Sequence, residues 1–71
     1  MEQEKILYCY MNKEFEFIDE NGNITDDLKE AAGYENLGDA KIVRDDFDEP
    51  EKWKIVKKKV IYRLEEIIEE W

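Results

Sequence analysis

Residues 48–71 read DEPEKWKIVKKKVIYRLEEIIEEW, and the reading of this stretch decides the fold. Trp53, Val56, Val60, Leu64, Ile67 and Trp71 recur at steps of three or four, a spacing that places all of them on one face of an α-helix. Ile61 and Ile68 widen the stripe. Asp48 suits an N-cap, with Glu51 three positions later as in a capping box and Pro50 in the first turn. Val, Ile and Tyr also favour strands, so two short strands can be drawn over Trp53–Leu64. The persistence of the period through Trp71 selects one long helix, Asp48 to Trp71.

The charges in this stretch are segregated. Lys52, Lys54, Lys57, Lys58, Lys59 and Arg63 come first with no acid among them, and Glu65, Glu66, Glu69 and Glu70 follow. On a helix this sets like charges at i,i+4 and acids at the C-terminal end of the dipole, so compensation from outside the element is expected. One source is a second copy. Two such helices packed antiparallel set Lys57–Arg63 of one against Glu65–Glu70 of the other, with Ile55, Lys58, Lys59, Tyr62 and Arg63 as the expected dimer contact.

Upstream, Lys5–Met11 reads as a strand, apolar on both faces. Asn12-Lys13 reads as a tight connection, and Glu14–Ile18 as a second strand with Phe15 and Phe17 on its core face. Asp19–Asn23 is a turn marked by Asn21-Gly22. Thr25 suits the N-cap of a short helix through Leu28, Ala31 and Ala32, ending near Gly33. Tyr34–Asp39 reads as a loop with Leu37 turned inward, and Ala40–Arg44 as a third strand. The expected fold is a single α+β domain over residues 1–71, in the order ββαβα, with a three-stranded sheet packed against a long C-terminal helix.

Chemistry is scarce. The 71 residues contain no histidine and no serine, and one cysteine, Cys9. Ser–His and Cys–His nucleophile pairs are therefore excluded, as are Cys/His zinc sites. Neither an enzyme nor a bound cofactor or metal is expected. The run Asp19, Asn21, Asn23, Thr25, Asp27, Glu30 has the spacing of a calcium loop, but Ile24 stands where that loop needs glycine, and the residues before it alternate like a strand. No apolar run is long enough to span a membrane. A lone cysteine suits a reducing cytoplasm.

Twenty acids against 11 bases leave a net charge of −9. Such a field repels nucleic acid and anionic membrane and attracts basic proteins. A small domain bearing spaced carboxylates can occupy a surface built for DNA phosphates. The carboxylates expected to do this are Glu14, Glu16, Asp19, Glu20, Asp26, Asp27, Glu30, Asp45, Asp46, Asp48, Glu49, Glu51, Glu65, Glu66, Glu69 and Glu70, with Tyr8 and Tyr10 as aromatic anchors.

In size, acidity, lack of catalytic residues and mixed α/β pattern the chain resembles the small phage-encoded inhibitors that mimic DNA, among them inhibitors of the nucleoid protein HU and several anti-CRISPR proteins. The resemblance implies a bacterial cytoplasm and a basic host target, either a nucleoid protein or a nuclease. The alternative is a small adaptor or regulator that binds a protein through exposed aromatics, without mimicry.

Overall fold

A computed structural model describes residues 1–69; Glu70 and Trp71, and the expectations placed on them, lie outside the described residues. Four strands form one antiparallel sheet in the order β3-β2-β1-β4: β1 (Glu2–Met11), β2 (Phe17–Ile18), β3 (Ile24–Thr25) and β4 (Lys54–Arg63). One helix, α1 (Leu37–Asp45), and two single 3-10 turns, Leu28–Glu30 and Pro50–Lys52, complete the described elements.

The C-terminal helix is the main correction. Lys54–Arg63 is a ten-residue strand paired with β1 along its whole length, from Met11 opposite Lys54 to Glu2 opposite Arg63. Residues 64–69 follow as irregular exposed chain. Asp48 caps nothing: Pro50 instead opens a 3-10 turn whose N-cap, Glu49, makes no side-chain cap bond. On the strand, Val56, Lys58 and Val60 fall on one face and Ile55, Lys57 and Lys59 on the other. Helical neighbours are thus separated, and Ile55 and Tyr62, expected to share a helix face, lie on opposite faces of the sheet. Lysines are tolerated here because β4 is an edge strand whose long stems cover apolar surface while their heads stay in water.

Three smaller corrections follow. Ala40–Arg44 belongs to α1, not to a strand. Asn36 caps that helix, its Oδ1 accepting from the Asp39 amide at 3.1 Å, and Leu37 is exposed rather than turned inward. The expected helix after Thr25 is only the 3-10 turn Leu28–Glu30, capped by Asp27 through the Lys29 amide at 2.9 Å. The second strand is two residues long because residues 12–16 form the turn. Asn12 Oδ1 accepts from the amides of Glu14 and Glu16, and Phe15 takes a left-handed φ of 59° and points outward.

The core lies at one end, where both faces of β1 are covered. On one face Cys9, Phe17 and Ala31 are buried, with Met11 and Val56 packed against them. On the other, Tyr10 is 2 % exposed and donates its hydroxyl to the Ala40 carbonyl at 2.7 Å. Tyr34 and Phe47 pack on its ring with centroids 5.7 and 5.0 Å away. Burying such a ring contributes about 2–3 kcal/mol. The chain between α1 and β2 is held against β1 by a reciprocal pair of backbone bonds, Tyr8 to Tyr34, both 2.8 Å. Gly33 permits this approach, since a Cβ there would sit 2.8 Å from the Leu7 side chain.

Beyond Tyr8 the sheet narrows to a two-stranded ribbon of β1 and β4. The molecule is accordingly long, 53 × 24 × 18 Å, with a radius of gyration of 15.3 Å. A compact domain of this length has a radius of about 11 Å.

Candidate binding surface

The fold sorts the charges by region. Residues 12–52, which form the compact lobe, hold 14 acids and five bases, a net −9. The two long strands with their flanks, residues 1–11 and 53–64, hold two acids and six bases, a net +4, and residues 65–71 hold four acids.

On the lobe, carboxylates divide by what they touch. Asp19 Oδ1 accepts from the amides of Asn21 and Asn23, both at 2.9 Å, and holds the Asn-Gly turn in which Gly22 has a φ of 81°. Asp27 caps the 3-10 turn, and the Thr25 hydroxyl accepts from the Asp27 amide. Asp19, Thr25 and Asp27, three of the six residues that resembled a calcium loop, are thus tied to backbone groups of their own turns. Glu16 accepts from the Asn12 amide group at 3.0 Å, Glu49 pairs with Lys52 at 3.0 Å, and Asp45 meets Arg44 at 3.4 Å. Glu14, Glu20, Asp26, Glu30, Asp46, Asp48 and Glu51 form no ion pair among the described residues and are exposed. Asp46, Asp48 and Glu51 follow α1 closely, so the densest acidic run of the sequence sits where that helix ends.

The two expected tyrosine anchors are not alike. Tyr8 is half-buried. Tyr10 is a core residue and not an anchor; burial, reinforced by the neighbouring Tyr34 phenol and opposed by Arg44, pushes its hydroxyl up to about 12. Among the described residues the exposed aromatics are Phe15, 69 % exposed in the β1–β2 turn, and Tyr62, 57 % exposed on the ribbon. Phe15 was readable as an outward residue only from the turn chemistry of Asn12, since alternation alone sends it inward with Phe17.

On the ribbon most bases have partners. Arg63 meets Glu2 at 3.0 Å, Lys59 meets Glu4 at 3.7 Å, and Lys5 meets Glu35 at 2.6 Å. The Lys5–Glu35 pair raises the ammonium and lowers the carboxyl from their ordinary values. Lys58 reaches across the sheet and donates to the carbonyls of Leu28, the first residue of the 3-10 turn, at 3.2 Å and of Ala31, its C-cap, at 2.6 Å. It is therefore a strut between β4 and the lobe and not a free dimer contact. Between the ribbon and this segment runs an open groove of about 820 Å³ lined by Lys5, Leu7, Glu30, Glu35, Lys58 and Tyr62 among others. Cys9 is fully buried, and desolvation pushes its thiol up, partly offset by Lys58.

Among the described residues no helix is long and apolar enough to cross a membrane. No family model, curated protein or solved structure matches the chain.

Proposed function

We propose that the protein is a non-enzymatic acidic binding protein that occupies the basic nucleic-acid-binding surface of a target protein in a bacterial cytoplasm. The observation that carries this reading is the lobe itself: 14 acids against five bases within residues 12–52, with Glu14, Glu20, Asp26, Glu30, Asp46, Asp48 and Glu51 exposed and free of ion pairs among the described residues. Carboxylates held on a small scaffold by short turns meet rows of Lys and Arg at little ordering cost, and their field speeds association at low salt. A nucleoid protein, a nuclease or a CRISPR effector presents such rows.

The test is capture of a basic DNA-binding protein from bacterial lysate at low salt, followed by displacement with duplex DNA. Capture that is released by salt and by DNA of any sequence is expected. Replacing Asp45, Asp46 and Asp48 with lysine is expected to weaken binding roughly tenfold or more. A partner that binds together with DNA overturns the reading. It would favour the adaptor alternative, which the exposure of Phe15 and Tyr62 supports.

A further inference from the structure

The segregated charges of residues 57–69 have a counterpart in the strand geometry. Both backbone groups of Tyr8 are bonded to Tyr34, so Tyr8 turns away from β4, and Lys57 opposite it turns away from β1. Alternation then places the N–H and C=O groups of Ile55, Lys57, Lys59, Ile61 and Arg63 on the open outer edge of β4. The Leu64 amide donates to the Met1 carbonyl at 2.9 Å, so Leu64 still faces β1. Residues 65–69 run on past β4 as exposed chain with no strand beside them, and extended in line with β4 they would add Glu65, Ile67 and Glu69 to the outward-facing set.

This edge is self-complementary about Leu64. Read outward in both directions, Arg63 matches Glu65, Tyr62 matches Glu66, Ile61 matches Ile67, Val60 matches Ile68 and Lys59 matches Glu69. We propose that residues 59–69 pair antiparallel with the same residues of a second copy across a two-fold axis at Leu64, joining two four-stranded sheets edge to edge.

Three observations select this arrangement. First, the β4 members of the matched odd-numbered pairs, Lys59, Ile61 and Arg63, already turn their backbone groups outward, so each pair exchanges two hydrogen bonds once residues 65–69 extend in line with β4. Second, charge and hydropathy agree on both faces. One carries Arg63 with Glu65, Ile61 with Ile67 and Lys59 with Glu69; the other carries Val60 with Ile68 and Tyr62 with Glu66. Third, neighbouring registers fail. Shifting by one step of the same parity puts Arg63 against Arg63 or Glu65 against Glu65 and sets Ile61 against a glutamate. Pairing restricted to β4 itself sets lysines against lysines, which is how edge strands resist association. The arrangement also covers Ile61, Ile67 and Ile68, exposed at 51, 61 and 86 % in the single chain. It stands independently of the function proposed above.

The experiment is sedimentation equilibrium of the full chain and two variants at micromolar concentration. The unaltered chain is expected to be a dimer. Glu65→Lys/Glu69→Lys and Lys59→Glu/Arg63→Glu each place like charges at all four matched positions, and each is expected to be a monomer, with association weakened roughly tenfold or more. Mixed in equal amounts the two variants restore every attraction, and a heterodimer is expected. The first variant alters only residues beyond β4, so its fold, followed by circular dichroism, is expected to stay intact; it carries the test alone if the second, which also loses contacts to Glu2 and Glu4, does not fold. A monomeric unaltered chain, or a Glu65→Lys/Glu69→Lys variant as dimeric as the parent, overturns the proposal.

Discussion

The two ends of β1 have the same backbone partner and different fates. From Tyr8 to Met11 the strand has β4 on one side, and the Tyr34 bridge and β2 on the other; within this stretch Cys9 and Tyr10 are almost wholly excluded from water. From Glu2 to Ile6 it has β4 alone, and every side chain is exposed. A two-stranded ribbon is marginal by itself in water. Stability therefore resides in the lobe, and the ribbon is ordered by being its extension. The ribbon's charge, opposite in sign to the lobe's, keeps its open edge from pairing indiscriminately.

The sharpest way to break this contrast is to cut into the lobe. Tyr10→Ala is expected to cost about 3–5 kcal/mol, enough to unfold a small domain, whereas Tyr10→Phe, which loses only the bond to the Ala40 carbonyl, is expected to cost about 1 kcal/mol; urea denaturation measures both. Gly33→Ala is expected to cost about 1–3 kcal/mol, because the new Cβ meets Leu7 at its stem, Cβ and Cγ, as well as at the Cδ1 tip. On the ribbon, Ile61→Ala, measured in the monomeric Glu65→Lys/Glu69→Lys background, is expected to fall within about 0.5 kcal/mol of that background. A ribbon substitution as costly as Gly33→Ala would refute the division.

Alkaline titration sharpens the same contrast. The Tyr10 hydroxyl ionises at about 12 in the folded chain, above the ordinary tyrosine value of about 10. Its contribution to stability is therefore complete below about pH 10 and is lost as pH rises towards 12. The raised Cys9 thiol and the raised Lys5 act in the same direction. Tyrosinate absorbance is expected to show one phenol ionising last, together with unfolding; four phenols ionising as one class before unfolding would contradict the burial of Tyr10.

Only part of the fold was legible in the sequence. The alternation of Lys5–Met11 marked β1, Phe17 a core residue, and Asn21-Gly22 a turn. The long helix was misread because Trp53, Val56, Val60 and Leu64 satisfy the helical period, while the strand's own period is broken by Lys58 on the inward face, where its ammonium finds carbonyls instead of water. The β-branched and aromatic residues at 55, 56 and 60–62 were the better signal. Helix α1 was hidden by Ile42-Val43, a strand-like pair. Asn36 with Asp39 three residues later, and Ala40, Val43 and Phe47 at helical spacing, were the signals for it. Of the carboxylates proposed to bind, the sequence could not show which are engaged in turns, because that depends on backbone conformation: Asp19 and Asp27 are, and Asp26 and Asp48 make no such bond among the described residues.

The lobe, the ribbon and the open edge all require residues 54–63 to be a strand beside β1. Proton NMR distances decide it. Close contacts between the α-protons of Tyr8 and Lys57, Ile6 and Lys59, and Glu4 and Ile61 are expected, since these are the non-hydrogen-bonded pairs of the ladder. Contacts three residues apart along Lys54–Arg63, with no cross-strand contact to β1, would mean a helix and would contradict the lobe, the ribbon and the surface derived from them.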